Sequence, residues 1–305
     1  MAIAKPFLRW AGGKRWLASV LAPIFATRLR NGGRYFEPFL GSGAMFFAFG
    51  PKSALLSDLN QELISTFLEI SRNPESLLTR LNSMPATRMD YYRIRGWQPN
   101  TPFDRAVRFI YLNRNCYGGL YRENMQGVFN VPYGGEERNH KYLCGNGAIP
   151  LAASLLNRSG VKLRVSDFDK VLSLACRGDV VYCDPTYREV TRKQFDRYGK
   201  VIFNWTDQER LARSATEAYR RGAVVVLSNT TSNGIRTLYR EAAVVKVTRR
   251  KGLGTWGNVN KQVEYLFILD PTNNWDSWNN IGSLILPKLL RKHSIAASER
   301  EVELS

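Results

Sequence analysis

The chain carries the stretch Val180-Val181-Tyr182-Cys183-Asp184-Pro185-Thr186-Tyr187 behind a Gly178-Asp179 turn. The apolar run predicts a buried strand, and Pro185, which has no amide hydrogen for a ladder, ends it. Such a strand delivers a carboxylate, a proline and an aromatic ring together to the carboxyl edge of a sheet. Open α/β sheets bind their ligands outside that edge. The three groups suit an exocyclic amine on a flat base. Asp184 can accept one N–H hydrogen bond, the Pro185 carbonyl can accept a second, and Tyr187 can stack on the ring. An ordinary turn after a strand reads the same on these eight residues, because Asp-Pro is a common breaker.

Two glycine loops lie upstream. Phe7-Leu8-Arg9-Trp10-Ala11-Gly12-Gly13-Lys14-Arg15-Trp16 predicts a tight turn entering a helix over residues 14–25. Amides at a helix start suit an anionic group, Trp10 offers a flat face and Lys14 a cation. Arg34-Tyr35-Phe36-Glu37-Pro38-Phe39-Leu40-Gly41-Ser42-Gly43 predicts a strand and a Gly-x-Gly loop, followed by an apolar helix to about Phe49. Glycine there lets backbone approach a ligand closely. The third glycine of a dinucleotide fingerprint is missing, which disfavours NAD. A second strand, 54–57, ends in Asp58, seventeen residues past Gly41. An acid near that spacing typically bonds ribose hydroxyls. Together these pieces describe a nucleoside-bearing cofactor.

Residues 60–150 interrupt the β-α rhythm. Helices are predicted at 61–70, 74–81 and 103–113. Residues 111–124 then read Tyr-Leu-Asn-Arg-Asn-Cys-Tyr-Gly-Gly-Leu-Tyr-Arg-Glu-Asn, with Gly127 and Gly134 further on. Asn and Arg reach base edges bidentately, and Tyr stacks or wedges. The glycine spacing predicts a β-hairpin or irregular loop, and a lid held by its own hydrogen bonds is the plainer alternative. The α/β rhythm resumes with a strand at 162–165 ending in Ser166-Asp167-Phe168, then the Asp184 strand. A capping box is predicted at Thr206 and Glu209, opening a helix to about Arg221. Strands follow at 224–227, 243–248 and 264–269, the last two paired across a basic, glycine-rich loop. The 271–305 tail is polar and weakly patterned, and no internal repeat is visible.

The 305 residues carry a formal net charge of +18. Residues 1–36 hold seven Lys/Arg and no acid, and residues 186–260 hold fifteen Lys/Arg against six Asp/Glu. Such a charge points to a polyanion, most often nucleic acid. No apolar run reaches the roughly 18 residues of a membrane span, and no basic amphipathic helix with an aromatic face suits a membrane surface. Cys116, Cys144, Cys176 and Cys183 form no Cys-x-x-Cys pair, and His140 with Cys144 is too small a set for zinc. Reduced thiols, a cytoplasmic location and no metal are the expectations.

These motifs, in this order over about residues 7–269, resemble the Dam-like family of DNA adenine-N6 methyltransferases, the D12 class. Residues 7–14 look like its first cofactor loop and residues 36–43, with Phe39, Gly41 and Gly43, like its Phe-x-Gly-x-Gly loop. Asp58 looks like its ribose-binding acid. Ser166, Asp167 and Phe168 stand where the family contacts the cofactor adenine. Asp184-Pro185-Thr186-Tyr187 is similar to its Asp-Pro-Pro-Tyr motif, with Thr186 replacing a proline. The resemblance implies S-adenosylmethionine as cofactor, bound at Trp10, Lys14, Asp58 and Asp184, and double-stranded DNA as partner. It implies catalytic roles for Asp184, Pro185 and Tyr187, and DNA contacts from Arg9, Asn113, Arg114, Tyr117, Arg122 and Asn124. The implied fold is a Rossmann-like seven-stranded α/β sheet at 1–59 and 151–270. A mostly helical recognition domain with a β-hairpin is inserted at 60–150, and a tail occupies 271–305. The expected target is GATC, although Gly118 and Gly135 stand where GATC-specific relatives carry Asn and Arg. An RNA or protein-amide methyltransferase, or a non-catalytic DNA-binding module, are the other readings of these residues.

Overall fold

The structure, a computed structural model, describes residues 6–10, 13–30, 32–124, 126–135, 140–143, 146–185, 203–250, 261–272, 275–279, 281 and 300–304. Thr186, Tyr187, Gly12, Cys144 and the basic loop 251–260 lie outside the described residues.

The chain opens with α1 (Arg15–Arg28), β1 (Tyr35–Glu37), α2 (Ala44–Phe49) and β2 (Ser53–Asp58). Four helices follow: α3 (Gln61–Arg72), α4 (Pro74–Ser83), α5 (Arg88–Gly96) and α6 (Pro102–Asn115). Next come α7 (Ala148–Leu156), β3 (Gly160–Val165), α8 (Phe168–Leu172), β4 (Val180–Cys183) and α9 (Trp205–Arg220). The last elements are β5 (Val224–Asn229), α10 (Asn233–Leu238), β6 (Ala243–Arg250), β7 (Lys261–Leu269), α11 (Asp276–Asn279) and β8 (Arg300–Leu304). The sequence pattern did not show α5, α7, α8, α10, α11 or β8.

The strands form one sheet in the order β3-β2-β1-β4-β5-β7-β6-β8. β1 to β5 pair in parallel, and β7 runs antiparallel to β5 and to β6. The expected seven strands are present, and β8 adds an eighth beside β6. Successive strand residues point to opposite faces. Tyr35, Val180, Tyr182, Val224, Val226, Leu266 and Ile268 therefore pack with α1, α2 and the helices after β2. Phe36, Val181, Cys183, Val225, Leu227, Phe267 and Leu269 pack with α8, α9 and α10. Coverage on both faces explains the unbroken apolar runs. Each such buried side chain stabilises the fold by about 1.5–3 kcal/mol. The first core is continuous from the sheet into Val107, Phe109 and Ile110 of α6.

Two local expectations are corrected. The α9 capping box is Asn204 with Asp207, not Thr206 with Glu209. Asn is a stronger N-cap than Thr, and Glu209 instead accepts from Trp205 Nε1 at 2.8 Å. The hairpin is reduced to two isolated antiparallel bridges, Cys116 with Tyr133 and Glu123 with Phe129. Gly118 and Gly119 sit at φ 64° and 63°, outside the extended region, so a continuous ladder cannot form there.

Candidate active site

The strand order reverses between β1 and β4, so the loops leaving their carboxyl ends diverge to opposite faces of the sheet. A crevice opens between them, and this is where open α/β sheets take ligands. The loop after β1 contributes Gly41 at φ 48° and Gly43 at φ 67°, and β4 contributes Asp184 and the buried Pro185. β2 ends at Asp58 and β3 is followed by Ser166-Asp167 on the same edge. β7 is antiparallel, so its early residues reach that edge too, with Tyr265 opposite Asn229 and Leu266 opposite Ser228.

Charge concentrates at this edge. Lys14 Nζ lies 3.3 Å from Asp184 Oδ1 and 3.4 Å from Glu264 Oε2. Lys14 and Glu264 are buried, while 22% of the Asp184 side chain is open. Burial pushes the Asp184 carboxyl up to about 6; Lys14 opposes that rise and Glu264 adds to it. Glu37, at the end of β1, accepts from Tyr35 Oη at 2.9 Å and from the Phe46 amide at 3.0 Å. Burial raises Glu37 to about 8 despite those two bonds, so it is largely protonated at neutral pH. Tyr182 Oη is paired with Ser228 Oγ at 2.9 Å beneath Asp184.

The loop residues are cross-tied. Asp58 accepts the Gly41 amide at 3.0 Å and the Asn60 amide at 2.9 Å, which ties the Gly-x-Gly loop to the end of β2. Burial raises its pKa and the amide bonds oppose that. Phe39 stacks on Phe168 with centroids 5.5 Å apart, and Phe203 meets both rings. Asp167 caps α8 through the Asp169 amide, and Ser166 Oγ donates to the Asp167 carbonyl at 3.3 Å. Trp10 stacks on Tyr121 at 5.8 Å and 17°, and its indole lies 2.9 Å from where a Cβ on Gly41 would stand. The first glycine loop, the second glycine loop and the 111–134 segment therefore meet at one tryptophan.

The residues expected to touch DNA divide into two groups. Tyr117 is 63% exposed, and Arg9 and Arg122 are half-buried. Arg122 Nε donates to Asn130 Oδ1 at 2.7 Å, and Arg9 reaches the Arg114 carbonyl at 3.3 Å. Asn113 does not reach outward: it is wholly buried, accepting the Arg9 amide at 2.8 Å and donating to the Arg9 carbonyl at 2.7 Å. Its side chain is a backbone clamp, because both halves of its amide are spent on one residue. Arg114 is 7% exposed beneath the Tyr142 ring, and burial followed by the nearby Arg9 lowers it to about 10. Asn124 uses its carbonyl oxygen on the Gln126 and Val128 amides, holding the turn at Gly127. Gly119 permits the approach of Arg9, whose Cβ lies 2.3 Å from an ideal Cβ at that glycine.

Sequence reasoning missed Glu264, Glu37 and Arg210. Arg210 bridges Asp167, Asp169 and Asp207 and covers the Phe168 ring at 4.8 Å. Glu264 shares β7 with Lys261 and Gln262, so no local pattern marks it as a site residue. Among the described residues, no group of three or more His, Cys, Asp or Glu is placed to hold a metal, and no helix is long and apolar enough to cross a membrane.

A sheet parallel but for the single antiparallel strand β7, a glycine loop at its switch point and a partly open carboxylate beside it define a Rossmann-like methyltransferase fold. The sequence profile of the D12 class N6 adenine-specific DNA methyltransferases matches residues 10–253, and the chain belongs to that family. It is similar to the type II methyltransferase M1.LlaDCHI of Lactococcus lactis, with 33% identity over 81% of this chain and 89% of that one. The type II methyltransferase M.MjaIII of Methanocaldococcus jannaschii is 31% identical over 87% of this chain and 98% of its own length. A DNA adenine methylase of Salmonella typhi is 31% identical over 87% of this chain and 95% of its own. The protein is thus an enzyme that methylates adenine N6 in DNA.

Proposed function

We propose that the methyl donor is S-adenosylmethionine, that the substrate is duplex DNA at a short site for which GATC is the first expectation, and that Asp184 is the group which activates the amine. The observation carrying this reading is the half-open Asp184 carboxylate, tied to Lys14 and set at the switch point beside the Gly41–Gly43 turn. The residues present fit the donor. Left-handed glycines give a side-chain-free turn, Asp58 offers a carboxylate to ribose hydroxyls, and Phe39 and Phe168 offer an aromatic wall beside Ser166 and Asp167. Trp10 and Lys14 bound the site from the first loop.

When bound, S-adenosylmethionine supplies an electrophilic methyl on a positively charged sulfur. The chain does the rest by positioning and electrostatics. The adenine amine is a poor nucleophile because its lone pair is delocalised into the ring. Asp184 accepts one N6 hydrogen and the Pro185 carbonyl the other, which draws the nitrogen towards a tetrahedral geometry and frees the lone pair. Asp184 also offers an oxygen for the proton that the methylated nitrogen must lose. The target base leaves the stack, which costs a few kcal/mol, and Tyr187 is the proposed platform for it. Arg9, Tyr117 and Arg122 are the proposed DNA-facing side chains, and Lys/Arg contacts with phosphate supply much of the affinity.

Catalysis is assigned to 1–59 and 151–270, recognition to 60–150, and the 271–305 tail to neither. A cytoplasmic location suits the proposed substrate. The test is to express the chain in a host free of adenine methylation and sequence its DNA by a method that reads N6-methyladenine. Full modification confined to GATC supports the whole reading, and modification at scattered adenines replaces the target with a phosphate-held, low-specificity activity. Labelled donor entering RNA or protein but not duplex DNA would overturn the substrate.

A further inference from the structure

Glu264 shares Lys14 with Asp184, and the reaction scheme above gives Glu264 itself no role. β7 sends Leu266 and Ile268 into the same core as α1, and Glu264 shares their face by the two-residue alternation. Its carboxylate pairs with Lys14 as Asp184 does, so one ammonium serves two acids, at 3.3 Å from Asp184 and 3.4 Å from Glu264. Glu264 is 3% exposed and Lys14 7%, whereas Asp184 is the partner that opens outward. A buried acid costs several kcal/mol unless it is paired, so a residue of this kind is placed for what it pairs with.

We propose that Glu264 is a positioning residue for methyl transfer: it fixes the Lys14 ammonium on Oδ1 of Asp184, so that the second oxygen of that carboxylate is presented to the adenine amine. The inference rests on the reading of Asp184 given above. A lysine has a long, freely rotating stem and three equivalent donors. An ammonium that straddles both Asp184 oxygens or swings into the crevice blocks the place of the amine, and a carboxylate 3.4 Å away opposes both movements. Glu264 removes that freedom. Among the described residues, the titratable groups acting on Asp184 are Lys14 before α1, Glu264 of β7, Glu37 of β1, and Tyr182 and Cys183 of its own strand. Among them Lys14 favours the charged carboxylate, and Glu264 disfavours it.

The experiment is single-turnover methylation of duplex DNA by the full chain, with saturating donor, from about pH 5 to pH 9. It compares the wild type with Glu264→Gln, Glu264→Asp and Asp184→Asn. Glu264→Gln should lower the plateau rate by about ten- to a hundredfold, the scale of a misplaced catalytic group. It should also move the acid limb to lower pH, because a charge that disfavours ionised Asp184 is gone. Donor and DNA dissociation constants should stay within about twofold. Glu264→Asp keeps the charge but shortens the reach, so its acid limb should stay near the wild-type position while its rate falls. A folded Glu264→Gln protein with the wild-type plateau and limb overturns the proposal. If Glu264→Gln does not fold, Glu264→Asp decides: a lowered rate with an unmoved limb supports the proposal, and the wild-type rate overturns it. Asp184→Asn separates the two levels of inference. If it keeps more than about a tenth of the rate, the reading of Asp184 itself fails. If it is inactive beside a fully active Glu264 variant, only the role of Glu264 fails.

Discussion

The Lys14 ammonium stands 3.3 Å from Asp184 Oδ1 and joins the turn before α1 to the end of β4. A cation in that position works against the burial that raises the Asp184 carboxyl to about 6. In the proposed role Asp184 must be ionised to accept from the amine, so activity should fall as pH drops through about 6. Lys14→Met removes the opposing charge, and the acid limb should move upward. The plateau rate should fall by about a hundredfold, as for loss of one preorganised electrostatic partner. The pH dependence of single-turnover rates checks both, and an unmoved limb would show that the two groups are not coupled in solution.

Glu37 should make stability depend on pH. Its folded pKa of about 8 lies above the ordinary glutamate value of 4.5, so the folded state binds the extra proton between those limits. The stabilisation is fully present below 4.5 and is lost as pH rises through about 8. Within that window one such group gives a slope of up to about 1.4 kcal/mol per pH unit. Glu37→Gln can still accept from Tyr35 and Phe46 but carries no proton to lose. Its urea-unfolding stability should match the wild type near the lower limit and exceed it near the upper one. Parallel curves for the two proteins would contradict the assignment.

Asp58→Ala should weaken donor binding and spare DNA binding. It removes the acceptor of the Gly41 and Asn60 amides as well as the proposed ribose contact. Hydrogen bonds to charged groups are worth roughly 1.5–3 kcal/mol each. Calorimetric titration with S-adenosylmethionine should show a loss of at least that size, and unchanged affinity would remove Asp58 from the donor site.

Asn113→Ala and Tyr117→Ala should behave as opposites. Asn113 is buried and clamps the Arg9 backbone, so its loss should lower stability by about 1–3 kcal/mol and leave sequence preference intact. Tyr117 is exposed at the Gly118-Gly119 turn, so its loss should leave the unfolding midpoint unchanged and weaken DNA binding. Thermal melts and fluorescence anisotropy on one duplex measure the two effects side by side.

Gly119→Ala tests the link between the first loop and the segment proposed to face DNA. The added Cβ would lie 2.3 Å from Arg9 Cβ, at a backbone angle of φ 63° that disfavours any side chain. Arg9 must shift, so DNA affinity and stability should fall together. A variant with wild-type values in both would mean that the turn is free to relax.

What could be read without coordinates was whatever depends on neighbours in the chain. The buried strands ending at Asp58 and Asp184 show as apolar runs with a stop, and the Gly41–Gly43 loop shows as small residues between two such runs. Their order alone implies a parallel sheet with its ligand site at one edge. Only the tertiary structure decided which side chains spend their polar groups on the protein itself. Asn113 has the composition of a base-reading residue, yet both halves of its amide are spent on the Arg9 backbone; Arg114 is buried against the Tyr142 ring, and the side-chain oxygen of Asn124 holds the Gly127 turn. The α9 cap moved from Thr206 to Asn204 because two polar residues competed for one helix start and the stronger N-cap won. Glu264 was invisible as a site residue because its partner lies before α1, and only an antiparallel β7 brings its early residues to the carboxyl edge of β4 and β5. Hydrophobic period and turn chemistry are local quantities and survive in sequence, whereas the pairing of buried charges is set by sheet order, which no local pattern encodes.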